Sequence, residues 1–429
     1  MVDSSTSRSS QPEQSRPSAS TANGVSAQTD GGPSSATLTD SNGKHSNADD
    51  TDSEAEDAAD AVDDYDDPQT EDEAGPSSAA DQPEPANNGI TRGIVQYGSV
   101  RVDHSGAPNV QAPEPATEEI PDDSELLTHY PDTEEVLDLG HLRLTTTKRL
   151  GLQRFAPSLK RLCLRQNLLT KIRSKDIGVL TELEDLDLYD NSIEKISGLD
   201  ALTKLESLDL SFNNIHHISN VSHLGECKTI YFVQNKISRV RPDDLQGAIA
   251  HSLESLELGG NRLRSIENIG HLNNLTQLWL GKNKITSLEG ISTLTNLRVL
   301  SIQSNRITKL HGLEKLVNLQ ELYLSHNGLT KIEGLENNTK LTTLDIGANM
   351  IERIENVAHL NQLEEFWAND NRIEDLNDVD RQLGPNNMPN LETVYLEGNP
   401  AQKKEGPAYR RKLRLLLPQI KQIDATFIR

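Results

Sequence analysis

The sequence predicts an α/β solenoid, with a curved parallel sheet on its concave face and short 3₁₀ or helical turns on its convex side. Three observations carry that prediction. The pattern L-x-x-L-x-L-x-x-N-x-L recurs from residue 134 onward, and its Asn returns mostly every 22 residues. With 34% apolar and 3% aromatic residues, the 429-residue chain is thin in the large side chains that several compact cores need. No repeat of this size can bury its leucines alone, so stacking must supply the stability.

The first element is not part of the solenoid. Residues 1–125 hold 27 of the chain's 66 acidic and 5 of its 42 basic side chains, which leaves 39 and 37 for residues 126–429. The acidic balance belongs to this tail, which is rich in Ser, Asp, Glu, Ala, Pro and Gln. With almost nothing to bury it cannot recover its ordering entropy and is expected to be disordered. Ser53 with Glu56 resembles an acidophilic kinase site, but a solubilising tail with chance Ser-acid pairs is the better reading. Gly93–Tyr97 is a short apolar island within it. Residues 126–133 start the N-terminal cap of the 126–429 repeat domain.

Twelve copies of the pattern follow. The first, Glu134 to Leu144, is degenerate and has Leu142 in the Asn slot. The Asn then stands at 167, 191, 213, 235, 261, 283, 305, 327, 349, 371 and 399; seven of the ten intervals are 22 residues, and the others are 24, 26 and 28. A period of 20–29 residues with this motif is the signature of leucine-rich repeats. Within a copy, x-L-x-L-x is a short strand whose leucines point to one face and whose flanking residues point to the other. The Asn follows where the chain turns, and its side chain is expected to bond backbone groups left open there, copy after copy. Twelve strands make a sheet roughly 55 Å long. Twenty-two residues leave room on the return only for 3₁₀ turns. From about residue 400 the pattern gives way to a C-terminal cap: Tyr409 to Leu417 reads as an amphipathic helix ended by Pro418, followed by Ile420, Ile423 and Phe427. Its basic cluster reads as a solvated face, with anion binding as the alternative.

The residue between the two strand leucines faces out of the sheet. In order it is Asp138, Cys163, Asp187, Asp209, Tyr231, Glu257, Trp279, Ser301, Tyr323, Asp345, Trp367 and Tyr395. Five are acidic, five aromatic and none basic, and both tryptophans of the chain are among them. Aromatic residues favour strands, but that preference does not gather them at one exposed position of a chain so poor in rings. Exposed rings beside charges mark protein interfaces, and Trp and Tyr are frequent hot spots. Asp185, Tyr189, Glu321, Glu365 and Asp370 add to the same surface. Nucleic acid requires basic residues along the groove, so a protein with a basic, partly apolar surface is the expected partner.

Other classes lack their motifs. There is no Gly-rich phosphate loop, H-E-x-x-H or G-x-S-x-G; Gly281-Lys282-Asn283-Lys284 fills a repeat turn without P-loop spacing. His216-His217 has no companions at metal-ligand spacing and belongs on the convex return. No catalytic residue, cofactor or metal is expected. Cys163 and Cys227 lie three strands apart in this register, roughly 14 Å, against the 7 Å or so a disulfide tolerates; free thiols in a reducing compartment are expected. With no apolar leader and no run of 18 apolar residues, the chain reads as intracellular and without a membrane partner. The sequons at Asn220, Asn274 and Asn337 then read as chance matches.

The 22-residue repeats, Leu322-Tyr323-Leu324-Ser325-His326-Asn327-Gly328, Leu186-Asp187-Leu188-Tyr189-Asp190-Asn191 and the ending Gln422-Ile423-Asp424-Ala425-Thr426-Phe427 together resemble the leucine-rich-repeat regulatory subunits of type 1 protein phosphatase. The resemblance covers roughly 126–429. It implies a non-catalytic subunit, monomeric before complex formation and found in nucleus and cytoplasm. Such a subunit holds the phosphatase catalytic subunit in its concave face, with a small phosphatase inhibitor protein as a further partner. It carries the contacts onto Asp209, Tyr231, Glu257, Trp279, Asp345, Glu365, Trp367 and Tyr395; Asp187 and Tyr323 join them from the outward column. The alternative is an adaptor of another intracellular complex, spliceosomal or cytoskeletal. Lys228-Thr229-Ile230-Tyr231-Phe232 matches the short docking motif of many phosphatase regulators. Here Ile230 and Phe232 fill two leucine slots, and exposing them would cost about 1.5–3 kcal/mol each.

Overall fold

The computed structural model describes residues 125–428. Apart from Glu125, the acidic segment, with Ser53 and the Gly93–Tyr97 island, lies outside the described residues.

Each copy of the pattern supplies one three-residue strand: β1 (Val136–Asp138), β2 (Arg161–Cys163), β3 (Asp185–Asp187), β4 (Ser207–Asp209), β5 (Thr229–Tyr231) and β6 (Ser255–Glu257), then β7 (Gln277–Trp279), β8 (Val299–Ser301), β9 (Glu321–Tyr323), β10 (Thr343–Asp345), β11 (Glu365–Trp367) and β12 (Thr393–Tyr395). Every strand pairs in parallel with the next, so the sheet follows chain order. Register never slips: Asp209 stands beside Tyr231, Tyr231 beside Glu257, Glu257 beside Trp279. A slip of one residue would turn a leucine out to solvent in every coil, which is why the leucine pattern fixes the register. The central residue of each strand is buried, with Ile230, Phe366 and Val394 replacing leucine at three of them.

The asparagines form the continuous ladder that their spacing predicts. In a typical step, Asn283 Oδ1 accepts the Leu263 N–H at 3.0 Å, while Nδ2 donates to Leu258 O at 2.9 Å and Leu280 O at 3.1 Å. The first ladder bond is Asn167 Oδ1 to the Leu144 N–H; Leu142, in the missing Asn slot, stands exposed. The sequon asparagines are also structural. Asn220 donates to Ile196 O, Asn274 to His251 O and Asn337 to Glu314 O, each tying a coil to the one before it.

On the return side the expected 3₁₀ turns are present. The 22-residue copies make isolated turns of this kind, as where the Leu272 N–H donates to Ile269 O and the Leu275 N–H to Leu272 O. Short helices appear where the return is longer, as 3₁₀ helices at Leu152–Phe155 and Gly247–His251 and as α1 (Val379–Leu383). With strand and ladder turn subtracted, the shorter copies have too few residues to extend these turns into a helix.

The C-terminal cap holds more than its helix. α2 (Pro400–Glu405) and α3 (Tyr409–Leu416) are followed by β13 (Gln422–Ile423), which adds in parallel to β12, and β14 (Thr426–Phe427), which turns back antiparallel. Asp424 follows β13 beside Tyr395, and its Oδ1 stands in for a further strand's carbonyl, accepting the Leu396 N–H at 2.9 Å and the Glu397 N–H at 3.0 Å. α3 buries Tyr409 and Leu413, and Arg410 donates to Ile423 O and Thr426 O, fastening the added strands. At the other end Leu127 is buried, and Ser158 Oγ donates to Asp132 O and Glu134 O.

Both cysteines are free, Cys227 in the core and Cys163 half-buried on the sheet. Burial pushes the Cys163 thiol up to about 11 and that of Cys227 to about 12, so neither is a ready nucleophile. Among the described residues no helix is long and apolar enough to cross a membrane.

Candidate partner-binding face

Side chains alternate along a strand, so burying the leucines forces their neighbours onto the opposite, open face of the sheet. The structure brings the ten singled-out residues to that one face: Asp187, Asp209, Tyr231, Glu257, Trp279, Tyr323, Asp345, Glu365, Trp367 and Tyr395 all flank buried strand centres.

The face has two halves. Over β3 to β6 it is acidic, with Tyr231 set between Asp209 and Glu257. Burial, and then the charge of Asp209, hold the Glu257 carboxyl above the ordinary carboxylate range; burial first, and then Asp187, do the same for Asp209. Over β7 to β12 it is aromatic. Trp279 and Tyr323 reach across Ser301 to stack with centroids 6.4 Å apart, and Trp367 meets Tyr395 edge-on at 5.5 Å. Tyr323 donates to Glu321 Oε2 at 2.8 Å, and Tyr395 Oη accepts from Gln422 Nε2 at 2.8 Å. The indole Nε1 of Trp367 is buried with no hydrogen-bond partner among the described residues, a costly state for a donor. Glu365 beside it is raised by burial and by Glu364.

Two expectations need correcting. Asp345 does not stand free: it is 5% exposed, overshadowed by Tyr323 and Trp367 on the adjacent strands, and its Oδ1 accepts the Gly347 N–H at 3.0 Å. It braces the floor beneath the rings. Nor is the face free of bases. Arg165 lies over the Tyr189 ring at 4.7 Å and pairs with Asp187 at 3.1 Å, so Asp187 already has a cationic partner. Arg161, on β2 beside Asp185, is a second base there. The signal for Arg165 was the outward residue after the second strand leucine, a column running through Tyr189, Ser211 and Val233.

The raised carboxyls set a pH dependence. An acid raised by folding binds its proton more tightly in the native state, so its charge opposes folding at neutral pH. That penalty fades as pH falls through the raised values toward the ordinary 3.8 of Asp and 4.5 of Glu. Hence the double change Asp209→Asn with Glu257→Gln is expected to raise the urea midpoint at pH 7, and to raise it less at about pH 5. An equal gain at both pH values would contradict this account.

The short docking-motif match is closed to a partner. Ile230 and Phe232 are fully buried in the core. Phe232→Ala is expected to cost about 3–5 kcal/mol of stability, read by urea unfolding; a change that weakened binding and left stability alone would restore the motif. His216 and His217 lie exposed on the return, where His217 Nε2 shares a 3.1 Å hydrogen bond with Arg241. Among the described residues no group of three or more His, Cys, Asp or Glu is placed to hold a metal ion.

Comparison with known proteins agrees with this architecture. Residues 157–215 match a model described as leucine rich repeat, and 251–293, 273–315, 295–337 and 317–359 match one of leucine rich repeats in two copies. A leucine-rich-repeat protein of Leptospira interrogans aligns with a TM-score of 0.51 at 26% identity, covering 63% of this chain and 74% of that one. Among curated proteins, protein phosphatase 1 regulatory subunit SDS22 of Schizosaccharomyces pombe is 47% identical over 64 residues, 15% of this chain and 19% of the relative. Protein phosphatase 1 regulatory subunit 7 of Danio rerio is 65% identical over 43 residues, 10% and 12%. That of Homo sapiens is 53% identical over 57 residues, 13% and 14%. These matches are local and span only 12 to 19% of those relatives' lengths. The chain is thus a leucine-rich-repeat solenoid similar in sequence to the regulatory subunits of protein phosphatase 1.

Proposed function

We propose that the chain is a non-catalytic regulatory subunit that holds the catalytic subunit of type 1 protein phosphatase on the open face of its sheet, controlling that enzyme's activity, maturation or targeting. The observation that carries this reading is the face itself. Two ring pairs and a set of carboxylates lie on one rigid surface, and Asp209 and Glu257 have no basic side chain in an ion pair with them among the described residues. Rigid rings supply contact area at little entropic cost, and unpaired carboxylates select a basic counterpart. The local identity to named phosphatase subunits supports the choice of that counterpart. Mixing the purified full chain with the catalytic subunit at micromolar concentration is expected to give a single complex in size-exclusion chromatography. Its affinity is expected to fall as salt rises, because screening shortens to about 3 Å at 1 M. Separate elution of the two proteins at low salt would refute the proposal.

A further inference from the structure

Between the acidic and aromatic halves the open face sinks into a hollow of about 480 Å³, lined by Phe212, Trp279, Val233 and three glycines, with glutamine and serine side chains, Glu257 and Lys282 completing it. Two of these glycines have no backbone reason to be glycine. Gly259 and Gly281 lie outside the left-handed region, unlike Gly260 with φ 68°. A Cβ at Gly259 would meet nothing nearer than Gly281 O at 3.4 Å, and one at Gly281 nothing nearer than Gln303 O at 3.6 Å. Both are ordinary contacts. They occupy the outward column that carries Tyr189, Ser211 and Gln303 in other coils. What their lack of a side chain provides is space above the strand ends.

Phe212 is anomalous in the opposite sense. It holds a left-handed backbone, φ 55°, at the position where other coils place Asp190, Lys282 or Gly260. The same conformation recurs at this place in every coil, at Gln166, Gln234 and His326 among others, so it belongs to the repeat turn; what sets Phe212 apart is a large apolar ring there. Its ring is nevertheless 41% exposed, steadied by Tyr189 at 4.9 Å. A large apolar residue left so exposed gives the fold little. Trp279 forms the facing wall, Glu257 lies at the hollow's edge, and Lys282 stands at its rim.

We propose that this hollow receives one apolar side chain of the bound partner, of leucine to phenylalanine size, and that a basic residue next to it in the partner pairs with Glu257. This rests on the reading of the face as the phosphatase-binding surface and adds which part of the partner it selects. An apolar side chain fits a hollow lined by rings and glycines because the backbone there is already paired: the Gly281 carbonyl accepts the Gly260 N–H at 2.8 Å. The adjacent base follows from Glu257, a half-buried carboxylate with no ion-pair partner among the described residues.

The test is calorimetric titration of the full chain with the purified phosphatase catalytic subunit. Gly281→Leu, which fills the hollow, is expected to weaken binding at least tenfold at an unchanged melting temperature. Phe212→Gly keeps the proposal testable should the filled variant unfold. Removing the ring is expected to weaken binding about tenfold while the melting temperature holds or rises, because glycine suits the left-handed backbone. A ring kept only for packing would show the reverse, a lower melting temperature and unchanged affinity. Glu257→Gln is expected to weaken binding and to reduce its dependence on salt. If Gly281→Leu and Phe212→Gly both bind within twofold of the unaltered chain, while Trp367→Ala outside the hollow loses binding, the hollow is refuted and the face stands. If the unaltered chain does not bind, the face and the hollow fall together.

Discussion

Replacing Trp279 and Trp367 together by alanine is expected to lower affinity for the phosphatase catalytic subunit about 10³- to 10⁴-fold while leaving the fold intact. Buried anchor rings cost about 2–3 kcal/mol each when truncated. The two lie four strands apart, on β7 and β11, or about 19 Å at the strand spacing, far enough for their losses to add. A combined loss of about 4–6 kcal/mol gives that fold-change. The coils should survive because the core side of the same strands is built from Leu278, Leu280, Phe366 and Ala368, all buried. What disappears is the stack on Tyr323 and the edge contact with Tyr395, each about 0.5–1.5 kcal/mol. Titration by calorimetry, with far-ultraviolet circular dichroism as the fold control, decides it. A double variant that binds within tenfold of the unaltered chain would remove the rings from the interface.

A loss of stability as large as that of emptying a core slot is expected from a polar residue of the ladder. Asn283→Ala should lower unfolding free energy by about 3–5 kcal/mol. The amide accepts one backbone N–H and donates to the carbonyls of Leu258 and Leu280, all buried. Alanine leaves those groups in the core without water, at about 1–3 kcal/mol for each group not satisfied elsewhere. Asn296 is the control. It donates to Asn273 O at 2.8 Å, but on the exposed side of the return, where water replaces the lost bond. Asn296→Ala should cost about 1 kcal/mol or less. Urea denaturation of both variants, compared at equal slope, separates the ladder from the surface. Equal losses would mean that the ladder is decoration.

Much of this was legible in the residues because the fold is close to one-dimensional. Each coil touches mainly its neighbours, so position in the repeat translates directly into position in space. Asp209, Tyr231, Glu257 and Trp279 could be placed side by side from spacing alone, and the structure pairs them in that order. The docking-motif match at Lys228–Phe232 could be set aside for the same reason, since two of its residues fall in core slots. Where the period ends, so does the legibility. β13 and β14 belong to no copy of the pattern. Asp424 stands in for a further strand's carbonyl through a turn that no spacing rule announces.

The sequence by itself determined the number of coils, the register of the sheet, the Asn ladder and the face on which the acids and rings gather. All of these follow from burying a leucine pattern of fixed period. Only the tertiary structure decided which of those side chains are open to a partner. Asp345 is overshadowed by the rings on either side of it, Asp187 is neutralised by Arg165, and the hollow beside Trp279 exists because two neighbouring coils carry no side chain there. The physical reason is that period fixes direction, whereas exposure and charge depend on the volume and sign of side chains one strand away, which no single repeat encodes.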